Sequence, residues 1–260
     1  MEPGTRVRLS RHDPGKTFGY GERRAGERAA TDLARLATLQ EMLYAERRHR
    51  ILIVLQGIDT SGKDGVIKHL SKALHPLGTR VESFGVPTEP ELAHDYLWRI
   101  HAQVPANGQI VIFNRSHYES VLVERVHELV PKERWSRRYD HINEFERLLT
   151  DEGTTILKCF LNIDRDEQAE RLRARYAAPA KRWKFNVRDL EERKLWDAYR
   201  KAFEDALSRC STAAAPWYVI PSNHKWFRNL AVGEIVADTL AGLAPQYPAR
   251  DDLPRDLVIS

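Results

Sequence analysis

The sequence predicts an α/β fold: a parallel central sheet covered by helices on both faces, in three α/β/α layers. Three observations carry that expectation. Short apolar runs alternate with helical repeats along most of the 260 residues, the pattern of strands buried on both faces. The first apolar run, Ile51-Leu52-Ile53-Val54-Leu55, leads directly into Gly57-Ile58-Asp59-Thr60-Ser61-Gly62-Lys63-Asp64-Gly65 and then into a helical pattern. No internal repeat or low-complexity tract interrupts the alternation.

The elements follow in chain order. Residues 1 to about 30 are rich in Gly, Pro, Arg and Glu and read as an irregular N-terminal arm. Leu33, Leu36, Leu39 and Leu43 recur at helical spacing, so a helix is expected over 31–48. The first strand is 51–55. After the glycine loop, Val66, Ile67, Leu70, Ala73 and Leu74 mark one helix face, with Gly78 as its stop. A short strand is expected at 81–85. Thr88 and Glu91 form a capping box with Pro90 in the first turn, opening a helix expected to reach about Gln103. The third strand is 109–113. A helix over about 131–152 stops at Gly153, a fourth strand takes 154–163 and a fifth 217–221. A last helix covers about 228–242, and the tail from about 246 to 260 is expected to be loosely ordered. Trp98, Trp196 and Trp217 lie in apolar patterns and read as core.

Composition bounds the function. The length suffices for one large core, and acids and bases nearly balance at a formal net charge of +4. Cys159 and Cys210 lie far apart without metal-ligand spacing to histidines, which argues against a disulfide framework or zinc site. No apolar run approaches the ~20 residues of a membrane span, and the polar start lacks a signal-peptide core. A cytoplasmic protein without a membrane partner is expected.

Strand, glycine turn and helix N-terminus in that order make a phosphate cradle. Backbone N–H groups and the positive helix end meet the anion, and a lysine meets the outer phosphates. Gly57, Gly62 and Lys63 fit the P-loop spacing, but Asp64 stands where Ser or Thr is usual. Asp59 lies inside the loop, where a carboxylate would repel phosphate unless a cation intervenes. Asp59 and Asp64 therefore read as a Mg²⁺ pair, although Asp64 alone would also favour a helix N-terminus by about 0.3–1 kcal/mol.

After the third strand comes Asn114-Arg115-Ser116-His117-Tyr118-Glu119. A metal-orienting acid normally ends this strand, and neutral Asn114 takes its place. Arg115 points at phosphates or forms a surface ion pair, while His117 and Tyr118 pack or cap. From 171 to 188 the chain carries Arg171, Arg173, Arg175, Lys181, Arg182, Lys184 and Arg188 and no acid. Without acids four residues away to relieve repulsion, and with Trp183 and Phe185 interleaved, the run suits an extended polyanion. Nucleic acid would satisfy the charge run but not the P-loop with its paired aspartates, and is not expected as a partner.

These segments together resemble the second family of polyphosphate kinases. The resemblance rests on 57–65, on 113–119 followed by Glu124-Arg125-Val126, on Lys181 to Phe185 with Asp189, Arg193, Trp196 and Tyr199, and on Ala215-Pro216-Trp217 then Lys225. It implies a P-loop kinase fold with a helical lid at about 165–205 inside a domain over 31–245. It also implies Mg²⁺-dependent phosphoryl transfer between inorganic polyphosphate and nucleotides, and a homo-oligomer, dimer or tetramer. Asp59, Lys63, Asp64 and Arg115 match the catalytic positions. Gly62, Lys63, Lys68, Arg171, Arg175, Lys181 and Lys184 are expected to face polyphosphate. Asn114 and the run after it are similar to the subgroup that phosphorylates both nucleoside mono- and diphosphates. Pro87, Thr88, Arg99, Asn114, Glu119 and Arg125 are candidates for the nucleotide. Two rival readings share the P-loop: an ATP-dependent nucleotide kinase, and a catalytically silent polyphosphate- or nucleic-acid-binding protein.

Overall fold

A computed structural model describes residues 1–250 of the chain. Along it run α1 (Glu22–Glu46), β1 (Arg50–Gln56), α2 (Lys63–Leu70), β2 (Thr79–Ser83), β3 (Ile110–Asn114) and α3 (Arg138–Asp151). They are followed by β4 (Thr154–Asn162), α4 (Arg165–Ala177), α5 (Arg188–Lys194), α6 (Trp196–Arg209), β5 (Trp217–Pro221) and α7 (Lys225–Leu243), with short helical turns between. The strands form one parallel sheet in the order β2-β3-β1-β4-β5. Parallel neighbours require crossovers, and the helices supply them.

The two faces of the sheet follow from the two-residue period of a strand. Ile51, Ile53 and Leu55 of β1 pack with Leu36 and Leu43 of α1, Val66 and Leu70 of α2, and Val232, Val236 and Leu240 of α7. Leu52 and Val54 face the other way, onto Ile142 and Phe145 of α3 and Phe203 and Leu207 of α6. The free thiols of Cys159 and Cys210 are buried in these two separate clusters. No helix among the described residues is long and apolar enough to cross a membrane.

Several bounds differ from expectation, each for a local reason. Helix α1 begins at Glu22 rather than 31. Its first turns are held by charge, with Arg28 on the buried Asp32 at 3.2 Å and on Glu234 at 3.0 Å, so apolar periodicity does not mark them. The N-terminal segment is docked: Val7 and Leu9 are buried, and the Met1 amino group donates to the Trp217 carbonyl at 2.6 Å. Gly78 does not stop α2, which ends at Leu70. It sits in the turn Pro76–Gly78, where a Cβ would run into the Gln40 side chain of α1.

The capping box at Thr88 and Glu91 forms as expected, but opens a single turn, Glu89–Leu92. Asp95 ends it by accepting from the Leu97 N–H at 2.9 Å, and a second turn, Trp98–His101, follows. Trp98 is not core: it is 47% exposed and stacks on His94. The helix expected over 131–152 is broken into Lys132–Trp135 and α3, beside the point where buried Arg138 turns inward to the Ser120 carbonyl and Glu124. The expected tail falls largely on 251–260, outside the described residues.

Candidate active site

The central strand β1 ends at Gln56, between β3 and β4, and the glycine loop follows at the carboxyl edge of the sheet. This is the topological switch point at which parallel sheets bind ligands. Gly62 has φ 109°, which disfavours any residue with a Cβ, and a Cβ there would collide with the Arg228 guanidinium. Lys63, the first residue of α2, folds back over the loop, its Nζ donating to the Gly57 carbonyl at 2.8 Å.

Arg171 holds the loop from the lid side. Its Nη1 donates to the carbonyls of Thr60 at 2.9 Å and Ser61 at 3.0 Å, and its Nη2 reaches those of Ser222 and Asn223. Glu167, one helical turn earlier, accepts from Nε at 2.6 Å. An acid four residues away therefore does relieve the charge at the start of the basic run. Buried and fully occupied, Arg171 braces the loop instead of facing the cleft as expected.

The two aspartates lie under the lid. Arg175 Nη1 stands 3.4 Å from Asp59 Oδ2 and 3.4 Å from Asp189 Oδ2, and Lys184 Nζ stands 3.2 Å from Asp64 Oδ2. Asn114, at the end of β3, donates from Nδ2 to Asp64 Oδ1 at 3.2 Å. Burial opposes ionisation of Asp64, but Lys184, Asn114 and Lys63 together hold its carboxyl below the usual range. No group of three or more His, Cys, Asp or Glu among the described residues forms a closed protein cage for a metal. Two carboxylates beside a phosphate loop instead suit a divalent cation that completes its oxygen shell with substrate phosphates and water. Lys181 and Lys68 are exposed, on the lid and on the outer face of α2.

The loop after β3 supplies the opposite wall. Arg115 adopts a left-handed conformation, φ 65°, and lies 3.6 Å from Glu119. The residues between are locked in the core. Ser116 accepts from Gln56 at 3.0 Å. Tyr118 donates to Glu146 at 2.8 Å, and the His117 ring lies 3.1 Å from the same carboxylate. Lys158 of β4 completes this fully buried cluster, 2.5 Å from Glu146. Residues with no role in the cleft thus fix the two that line it.

A cavity of about 250 Å³ opens between the walls, lined by Gly57, Asp59, Arg115 and Glu119 together with His127, Gln168, Glu192, Tyr199 and Phe203. The last five escaped sequence reading, except that Tyr199 belongs to the motif that carried the resemblance. Gln168 donates to the Asp59 carbonyl at 3.3 Å and accepts from Arg193 of α5 at 2.8 Å, tying lid to loop. Tyr199 donates to Glu192 at 2.7 Å. Pro87, Arg99 and Glu119 line a second, smaller cavity next to it. Two other nucleotide candidates point elsewhere. Thr88 is taken up by its own cap with Glu91, and Arg125 pairs with Asp205 at 2.8 Å and Tyr139 at 2.9 Å beneath the cleft.

Burial, and next the charge of Arg115, push the Lys63 pKa down to about 8, against the pull of Asp59, Glu119 and Asp64. The ammonium is thus fully charged well below that pH and neutralises as the pH rises through it. Affinity for inorganic tripolyphosphate is expected to fall as the pH climbs through about 8, with proton uptake on binding measurable by calorimetry in two buffers. A dissociation constant and enthalpy unchanged across that window would refute this assignment of charge.

Comparison with known proteins agrees with the geometry. The family model described as Polyphosphate kinase 2 matches residues 21–248. The AMP/ADP-polyphosphate phosphotransferase of Meiothermus ruber is 54% identical over 261 residues, covering 100% of this chain and 98% of its own. The ADP-polyphosphate phosphotransferase of Rhodopseudomonas palustris is 43% identical over 84% of this chain and 80% of its own. The crystal structure of polyphosphate kinase 2 from Arthrobacter aurescens superposes with a TM-score of 0.91 at 44% identity, covering 94% of this chain and 89% of that one. With its P-loop, basic lid and parallel sheet in the arrangement just described, the chain belongs to the polyphosphate kinase 2 family.

Proposed function

We propose that this protein transfers the terminal phosphoryl group of inorganic polyphosphate to AMP and to ADP, with Mg²⁺ held by Asp59 and Asp64. The observation that carries the reading is the convergence of Lys63, Asp59, Asp64 and Arg115 at the switch point of the sheet, under a lid whose cations exceed what the site's own acids neutralise. The acceptor range is that named for the Meiothermus ruber relative.

In this mechanism polyphosphate lies along Lys184, Lys181 and Lys68, and its terminal phosphate meets Gly62 and the following amides of α2. Lys63 turns from the Gly57 carbonyl to that phosphate. Arg175 and Lys184 are paired with Asp59 and Asp64, the two carboxylates that would hold a divalent cation, and with those carboxylates so engaged both cations would be available to polyphosphate. Mg²⁺ supplies charge neutralisation of the transferring group when bound. Arg115 steadies the equatorial oxygens as they gain charge.

An oxygen of the acceptor phosphate attacks the terminal phosphorus, the bridging P–O bond breaks, and the shortened polyphosphate leaves with that electron pair. The acceptor oxygen is already ionised near neutral pH, so no base is needed. Asn114 is accordingly a donor that orients Asp64. The acceptor nucleotide is placed against Pro87, Arg99 and Glu119, across Arg115 from the donor. A homo-oligomer, dimer or tetramer, is part of the same proposal, and the unpaired outer edge of β2 with exposed Leu77 and Val81 supports it.

The test is turnover of purified protein with Mg²⁺, polyphosphate and AMP in the absence of ATP, followed by chromatography. ADP and then ATP are expected. ATP from added ADP with nothing from AMP would remove the monophosphate from the acceptor range. No product from either would return the site to the ATP-dependent kinase or the silent binder.

A further inference from the structure

Arg228 lies in the first turn of α7, more than 160 residues after the P-loop. It is 4% exposed, and its guanidinium packs against the first turn of α2. A Cβ on Gly62 would collide with Nη1, and one on Gly65 would lie 2.6 Å from Nη2. The glycines of this turn therefore leave room for a cation as well as for a phosphate.

Its polar partners do not balance its charge. Nε and Nη2 both donate to the neutral Asn229 amide oxygen, at 3.2 and 2.8 Å. No carboxylate among the described residues pairs with it, whereas Arg171, the other buried arginine of this region, has Glu167. Burial, and then repulsion from Arg171, lower its pKa to about 10, which leaves it charged at neutral pH. An uncompensated buried charge is costly to a fold and persists where something outside the chain balances it. The turn it touches is the one whose amides face the anion.

We infer that Arg228 is a further anion-binding element of the P-loop, a buried cation behind Gly62 and Gly65 whose counter-charge is the phosphate chain of the donor. This rests on the proposed polyphosphate site and deepens it. The amides and Lys63 meet the phosphate from the front, and Arg228 adds a fixed positive field from behind, where solvent screens little. Such a cation favours a donor with many charges over one with few.

The test is Arg228→Met, which keeps an unbranched side chain of similar reach, measured by thermal denaturation and by calorimetric titration with inorganic tripolyphosphate. Because the substitution removes an unbalanced buried charge, the melting temperature of the unliganded variant is expected to equal or exceed that of the wild type. Its affinity for tripolyphosphate is expected to fall on the order of tenfold or more, the size of interaction between full charges a few ångströms apart near a protein surface. Its thermal stabilisation by that ligand is expected to shrink in step.

A purely structural Arg228 predicts the reverse, a lower unliganded melting temperature with tripolyphosphate affinity unchanged, and that result would overturn the inference. Should the Met variant not fold, Arg228→Lys decides. Retained affinity within about threefold supports a charge role, and a folded Lys variant that loses binding as severely as a P-loop lesion refutes it. Wild-type protein that fails to bind tripolyphosphate would bring down the site reading and this inference together. Wild-type binding with an unaffected Met variant would bring down this inference alone.

Discussion

Lys63→Ala is expected to lower turnover by at least about 10²–10³-fold, the cost of losing one preorganised donor to a transferring group. Lys63 is the one cation inside the loop, buried and 2.8 Å from the Gly57 carbonyl, so water cannot substitute for it cheaply. Arg173→Ala is the matched control. Arg173 is exposed on the lid, where salt screens charges beyond about 8 Å, so its loss should raise the KM for polyphosphate with little change in kcat. Steady-state kinetics on both variants, with the fold verified by circular dichroism, checks the division. Equal and small losses in the two would contradict it.

The second large effect lies outside the cleft. Lys158→Met removes the partner of Glu146 from a site where both side chains are essentially unexposed, and breaking a buried pair on one side costs about 3–5 kcal/mol. For a chain of this size that corresponds to a fall in melting temperature of roughly 6–20 °C. The pH dependence distinguishes this cause from simple loss of packing. In the wild type, burial would raise the Glu146 carboxyl, but Lys158 and His117 hold it below its ordinary value. Its stabilisation is therefore present above the unfolded-state pKa and lost as the pH falls.

Without Lys158 the balance turns to burial and the folded pKa rises above the unfolded one. The destabilisation is then fullest at neutral pH and shrinks on acidification. A deficit independent of pH, read from melting temperatures between about pH 4 and pH 7.5, would assign the loss to packing instead. Adding Glu146→Gln should recover part of the stability at neutral pH, since it removes the stranded charge. Turnover should fall in Lys158→Met as well, because His117 and Tyr118, held by Glu146, connect Arg115 to Glu119.

Much of the site was legible from short-range pattern. The strand, glycine turn and helix around Gly57 to Gly65 appear where the sequence places them, as do β5 and the capping box of Thr88 and Glu91. Asp59, Arg115 and Glu119 line one cavity, with Lys63 on the carbonyl of Gly57 in its wall and Asp64 paired to Lys184 of the lid. Reading failed where a residue's surroundings come from elsewhere in the chain. Arg171 reads as one more polyphosphate-facing member of the basic run, yet it is buried against carbonyls of 60–61 and 222–223. Arg125 sits in a promising motif but is drawn to Asp205 of α6. Trp98 follows an apolar pattern, but on its short turn it is Ile100 that enters the core.

The sequence by itself determined the succession of the five strands and the phosphate cradle, because both arise from contiguous residues: alternation sets the buried faces, and glycines set the turn. Only the tertiary structure decided which charges are screened and which are not. Lys158 stands in a strand of apolar residues with nothing nearby in sequence to mark its partner, and Arg228 lies more than 160 residues from the loop it touches. Whether such a cation is an exposed ornament, half of an ion pair or the back wall of an anion site depends on desolvation, and desolvation is set by what folds over it.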